Sequence, residues 1–250
     1  MRRSAPRKLA PHARSDSMID LTHEMASLWA ALGPAPAHRG RVVQIVAANA
    51  GEGTSTVARE YARLAAVRAR RPVWLIDADL AQQGQLDAVA AEPDRFGRLG
   101  RAALATPDGS IFFAVTPRVM DRAGRPVHPA RLMTARPALG GRLWVTRFAG
   151  EVLRSGQKAE VLTDSRYWDA LRKHADTVVI DSPSADRSDA CLAMARHCDS
   201  TVLVVAAGAT APTEPVLLRD EIEAAGGRIA GVVVNRSTYE TPAFLRRLAG

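Results

Sequence analysis

Lysine is almost absent from this 250-residue chain: Lys8, Lys158 and Lys173 are its only lysines, and arginine supplies nearly all of the positive charge. The formal net charge is +8, a value that invites a polyanion partner. The charge is dispersed in an Ala- and Arg-rich chain with only 5% aromatic residues, and no aromatic-interleaved basic patch occurs. A nucleic-acid partner is therefore not expected. Cysteine is equally scarce. Cys191 and Cys198 are the only two, seven residues apart in a helical-looking segment, so a disulfide framework is not expected and a reducing cytoplasm fits. No run of about 18 apolar residues is present, and the first 17 residues carry charge without the apolar stretch of a signal peptide. A chain neither secreted nor membrane-spanning by itself is the expectation. His23, His128, His174 and His197 show no metal-ligand spacing with the cysteines, and no nucleophile elbow surrounds Ser182 and Ser184.

The length suits one large domain with a full core. Residues 1–16, with Arg2, Arg3, Arg7, Lys8 and Arg14, read as a disordered basic tail, either solvated or in weak contact with anionic lipid. A single domain is expected over residues 17–250. Met18, Leu21, Met25, Leu28, Trp29 and Leu32 mark one face of a first helix, which Gly33 and Pro34 end. Val42–Ala48 reads as a strand, Gly51-Glu52-Gly53 as a tight turn, and Ser55–Arg70 as a helix with Val57, Tyr61, Leu64 and Val67 on one face. Strand, glycine turn and helix form a phosphate-cradle layout, in which backbone N–H groups and a helix N-terminus face one anion.

Further along, Val73–Asp79 is a short apolar run ending in two carboxylates. Residues 81–140 are divergent and poorly legible, with plausible strands at Ile111–Val115 and, just beyond, Arg142–Thr146. Alternation then resumes: helix Ser165–Lys173, strand Thr177–Asp181, helix Arg187–Arg196, strand Thr201–Ala206, helix Glu214–Ala225 and strand Ile229–Asn235. This order predicts an α/β fold, a mostly parallel sheet with helices on both faces. Asp77, Asp79 and Asp181 all end apolar strands, where hard oxygen ligands suit a magnesium–nucleotide site. The four tryptophans, Trp29, Trp74, Trp144 and Trp168, are read as buried rather than as a sugar platform.

Five segments together, GEGTSTVA (51–58), VWLIDADL (73–80), TVVIDSPSADRSDA (177–190), STVLVVAAG (200–208) and GRIAGVVVNR (227–236), resemble the cytoplasmic domain of bacterial tyrosine kinases of exopolysaccharide biosynthesis and export. Those proteins accompany chain-length co-polymerases and belong to the MinD/ParA-like P-loop group. The resemblance, over residues 18–250, implies a P-loop NTPase-like fold and ATP or ADP with magnesium as cofactor. It implies phosphate contacts from Gly51, Glu52, Gly53, Thr54, Ser55 and Thr56, with magnesium held by Ser55, Asp77 and Asp181. Asp77 and Asp79 match the acids of metal positioning and nucleophile activation, and Asn235 with Arg236 matches the adenine-contacting segment. An inner-membrane polysaccharide chain-length or export protein is the implied partner, with self-association a second option, and the implied location is cytoplasmic, peripheral to the inner membrane.

The departures bear on activity. Thr54 stands where the phosphate-binding lysine belongs, and the upstream lysine of MinD/ParA proteins falls near Asn49. A threonine hydroxyl cannot neutralise β- and γ-phosphate charge. Only Tyr61, Tyr167 and Tyr239 occur, so no tyrosine-rich C-terminal cluster exists to be phosphorylated. Glu24 is followed by Ser27 and Ala30, not by the two arginines used for ring assembly. The expectation is a non-kinase or weakly active relative that supports polysaccharide export through nucleotide-dependent conformational change. Two alternatives stand beside it: an active ATPase or tyrosine kinase with a substitute for the missing lysine, and a ParA-like positioning protein that binds DNA.

Overall fold

The computed structural model describes residues 21–164 and 166–237. The basic segment 1–16, the anticipated helical residues 17–20 with Met18, and Tyr239 lie outside the described residues. In chain order the elements are α1 (Thr22–Leu32), β1 (Arg41–Ala47), α2 (Thr54–Arg68), β2 (Val73–Asp77), α3 (Gln85–Ala91) and α4 (Pro93–Phe96). They continue with β3 (Ala103–Leu104), β4 (Phe113–Thr116), β5 (Met133–Ala138), β6 (Leu143–Phe148) and β7 (Lys158–Val161). The last are α5 (Arg166–His174), β8 (Thr177–Asp181), α6 (Ala190–Ala195), β9 (Ser200–Ala206), α7 (Thr213–Ala224) and β10 (Ile229–Asn235).

Eight strands form one sheet in the order β10-β9-β1-β8-β2-β6-β5-β3. The first six run parallel, and β5 pairs antiparallel with both β6 and β3. Strand β1 lies in the middle and is buried at every position, as a parallel strand covered on both faces requires. Its alternate side chains feed the apolar clusters on the two faces of the sheet. Val43, Ile45 and Ala47 pack with Val57, Tyr61 and Leu64 of α2 and with Met25 of α1. Val42 packs with Trp168 and Leu171 of α5, and Val46 with Leu218 and Ile222 of α7. Gln44, one of the two polar residues of β1 with Arg41, is fully satisfied: its amide donates to Ser182 Oγ and Cys191 O and its oxygen accepts the Thr201 hydroxyl, so its burial carries little penalty.

The segment 81–140 contains the helices α3 and α4 and the strands β3, β4 and β5, of which only β4 corresponds to an anticipated element. Strand β5 carries Pro137, and β3 is two residues long. The strand anticipated at Ile111–Val115 starts two residues later, leaves the main sheet and pairs antiparallel with β7. It covers an aromatic cluster in which Phe112 meets Tyr167 and Trp168 at centroid distances of 5.0 and 5.2 Å. Trp74 and Trp144 stack across β2 and β6 at 5.5 Å. Among the described residues no helix is long and apolar enough to cross a membrane.

The N-terminal edge of the sheet, opposite the strand ends that carry the acidic residues, is pinned by Asp199. Its Oδ2 accepts the Val42 N–H at 2.8 Å and pairs with Arg172, while its Oδ1 pairs with Arg39 at 2.8 Å. Burial pushes the Asp199 carboxyl up, but the Arg172 hydrogen bond and the Val42 N–H outweigh it and hold it below the usual range. Its stabilisation is thus present above that range and lost in acid. Asp199→Ala removes the carboxylate partner of Arg39 and Arg172 and the acceptor of one strand N–H, and should cost about 2–4 kcal/mol. Denaturant unfolding followed by circular dichroism measures this, and a loss below about 0.5 kcal/mol would contradict it.

Candidate nucleotide-binding site

The turn between β1 and α2 is built for a left-handed backbone. Gly51 has φ 82° and Gly53 φ 99°, values that side-chain-bearing residues adopt only with strain. Space reinforces the choice at Gly53, where a β-carbon would overlap Asn235 Nδ2. Helix α2 then begins at Thr54, with Val57 N–H bonded to Gly53 O at 3.0 Å. The N–H groups of Gly51 through Thr56 have no acceptor among the described residues. Uncommitted donors at the positive end of a 15-residue helix are what an anion needs. Gly51, Gly53, Thr54, Ser55 and Thr56 line one cavity with Asp79, Asp181, Ser182 and Arg187.

Other predicted residues brace this loop. Glu52 is buried and absent from the cavity lining; its carboxylate accepts the Asn49 N–H at 3.1 Å and the Thr210 hydroxyl. Asn235 Nδ2 donates to Glu52 O at 2.7 Å, and Arg236 Nη2 to Gly51 O at 2.6 Å. Both side chains expected near adenine are thus engaged with loop carbonyls. Asn49, at the place of the absent upstream lysine, donates to Glu214 Oε2 at 2.6 Å.

Parallel pairing of β2 with β8 sets Asp77 directly opposite Asp181. Both are nearly inaccessible, at 2% and 3% exposure. Asp77 Oδ2 accepts the N–H groups of Gly84 and Gln85 at 2.9 and 3.0 Å, capping α3, and Asp77 does not line the cavity. Asp181 Oδ2 accepts Gln85 Nε2 at 2.6 Å, while its buried Oδ1 has no partner among the described residues. Burial pushes Asp77 up to about 6, and burial plus the Asp77 charge push Asp181 up to about 7. Asp79 sits at the cavity rim, where its Oδ2 pairs with Arg187 Nη2 at 2.8 Å. Gln85, which ties α3 to both Asp181 and Ser55 O, was missed from sequence because nothing in its local pattern marks it.

The donor set fits magnesium in one form. Asp181, whose buried Oδ1 has no hydrogen-bond partner among the described residues, lines the cavity together with Ser55. Among the described residues no group of three or more His, Cys, Asp or Glu is placed to hold a metal. Magnesium keeps few protein ligands and takes the rest from phosphates and water, so Ser55 and Asp181 suffice on the protein side.

These features define a P-loop NTPase-like α/β protein. Its structure is similar to the kinase domain of the Escherichia coli tyrosine kinase ETK, with a TM-score of 0.58 and 16% identity over 96% of this chain and 85% of that one. The Pyrococcus furiosus cell division ATPase MinD matches at 0.50 and 19%, over 84% and 79%. A nucleotide-binding protein from Archaeoglobus fulgidus, solved in complex with ADP, matches at 0.50 and 17%, over 81% and 69%. The chain therefore has the fold shared by bacterial tyrosine kinase domains and MinD-like ATPases. No protein-family model and no curated protein matches the sequence.

The acid pair makes stability depend on pH in a defined direction. A carboxyl raised in the folded state stabilises the fold below its unfolded value, about 4, and loses that contribution as pH rises through its folded value. Without divalent cations, thermal stability should rise as pH falls from about 8 to about 5. Asp181→Asn should flatten that slope by up to about 1.4 kcal/mol per pH unit. Melting curves over this range measure the effect, and equal slopes for the two proteins would refute it.

Proposed function

We propose that this chain is a degenerate relative of the exopolysaccharide tyrosine kinase domain. It binds ATP or ADP with magnesium weakly and uses occupancy as a conformational signal to an inner-membrane chain-length or export protein. It supports polysaccharide biosynthesis from the cytoplasmic side of the membrane, held there by that partner. One observation carries the reading: a complete cradle of free backbone N–H groups stands beside a bare buried carboxylate oxygen, with Thr54 in the lysine position. The likeness in fold to the ETK kinase domain supports it.

Each residue's part follows from its place. Gly51 through Thr56 offer N–H donors to phosphate oxygens, helped by the α2 dipole. Ser55 and Asp181 would hold magnesium, which when bound neutralises the charge shared by the terminal phosphates. Thr54 adds one neutral hydrogen bond where an ammonium would add a charged one, and charge-assisted bonds are roughly twice as strong. Binding survives this loss better than catalysis, because transfer depends on stabilising charge that develops on the phosphoryl group. Occupancy is transmitted through the braces already described, since Glu52, Asn235 and Arg236 join the loop to the β9–α7 connection and the end of β10.

Titration with a fluorescent ATP analogue and magnesium should show saturable binding in the high-micromolar to millimolar range with very slow phosphate release. Thr54→Lys should tighten binding by roughly tenfold. No saturation at millimolar nucleotide would leave only a scaffolding role. Rapid phosphate release abolished by Asp79→Ala or Asp181→Ala would make the protein a working ATPase instead.

A further inference from the structure

Arg187 is the only cation among the described residues that line the phosphate-loop cavity. The helix anticipated from Arg187 to Arg196 begins three residues later, and residues 184–188 form a turn instead. That turn is stitched to the base of the phosphate loop. Ala185 N–H bonds to Ala47 O and Asp186 N–H to Ala48 O, each at 3.0 Å, and Asp186 Oδ2 accepts the Ala50 N–H at 3.2 Å. Arg187 N–H closes the turn on Ser184 O at 3.1 Å. The backbone that carries Arg187 is therefore fixed relative to the loop.

The side chain itself is one-third exposed and makes one ion pair, through Nη2 to Asp79 Oδ2. Its Nε and Nη1 have no acceptor among the described residues. A guanidinium keeps its charge, and its planar fork matches phosphate oxygens two at a time. Two other arginines lie nearby, and both are otherwise engaged. Arg236 donates to Gly51 O, and Arg59 on α2 donates to Gln85 Oε1 at 3.3 Å; neither lines the cavity.

We infer that Arg187 is the cationic ligand of the terminal phosphates of bound nucleotide, supplied from the β8–α6 turn in place of the lysine that Thr54 replaces, and stored on Asp79 when no polyphosphate is present. This rests on the nucleotide-binding reading above. Phosphate and the Asp79 carboxylate compete for one guanidinium. Binding accordingly frees Asp79 at the cavity rim, and the strength of the stored pair sets part of the nucleotide affinity. The same competition predicts discrimination by charge, because AMP offers too little to displace Asp79 and ADP or ATP offers more.

The test is titration of the full chain with fluorescent ATP, ADP and AMP analogues, with melting curves on every variant to establish folding. Arg187→Ala should weaken ATP and ADP analogues by about tenfold or more and the AMP analogue by less than about threefold. Arg125→Ala, which removes the same charge from a distant and exposed site, should stay within about twofold. Arg187→Lys should retain most of the affinity, and Thr54→Lys should rescue Arg187→Ala. Asp79→Asn should tighten ATP-analogue binding only when Arg187 is present. Equal affinities for Arg187→Ala and Arg125→Ala would overturn the assignment while leaving nucleotide binding intact. Absence of wild-type binding would overturn both readings together.

Discussion

Two carboxylates buried side by side govern the ligand-facing edge of this sheet. The parallel register of β2 and β8 places Asp77 opposite Asp181, and both are almost wholly buried. Like charges in such a place cannot both ionise without help, so the surrounding chain supplies donors. Asp77 takes the first N–H groups of α3, and Asp181 takes the Gln85 side chain from the same helix. One turn of α3 thereby serves both acids. Its packing beside α2 follows, because the same Gln85 amide also donates to Ser55 O. The help stops one atom short, at Asp181 Oδ1. A cation at that oxygen would offset the burial and the neighbouring charge that raise the carboxyl, and the same acid lines the cavity with the phosphate-loop residues.

Charge balance around the cradle follows from the same pair. The loop contributes dipoles but no full positive charge, since Thr54 and Asn49 are neutral and Glu52 is turned to the braces. On the other side stand Asp181 and Asp79. Left alone, that rim would repel an anion. Arg187 corrects the sign locally by pairing with Asp79, and the correction comes from an element far from the loop in sequence but hydrogen-bonded to its base in space.

Much of this was legible beforehand, for a physical reason. Buried parallel strands must be apolar on both faces, so β1, β2, β8 and β9 announce themselves, as does the glycine turn before α2; β10 is legible from its apolar run although, at the sheet edge, it leaves alternate residues such as Val232 and Val234 exposed. The acids at the ends of β2 and β8 were visible as carboxylates following apolar runs. Their unequal roles were not, because the capping of α3 by Asp77 depends on a helix inside the divergent segment. Strand β5 hid behind Pro137 and the polar residues Thr134 and Arg136, and β3 is too short to have a period. Arg187 was assigned to a helix because the alanine-rich residues after it continue a helical pattern. The carbonyls of Ala47 and Ala48 that capture the turn's N–H groups lie more than 130 residues away, beyond the reach of any local pattern.

The bracing of the loop argues that its shape serves more than a connection between β1 and α2. A simple connection tolerates a variety of turns, and left-handed glycines add backbone entropy cost without return. Here the left-handed Gly53 packs against Asn235, whose amide in turn holds Glu52 O, while Arg236 holds Gly51 O. Glu52 itself is buried and tied to the connection before α7. Carbonyls therefore point toward these braces, leaving the N–H groups of residues 51–56 without acceptors in the chain. Unpaired backbone donors are tolerated where something else supplies the acceptor. Water can do so at an open cavity; in the nucleotide-binding reading proposed above, phosphate oxygens would do so, with a hard cation between them and Asp181.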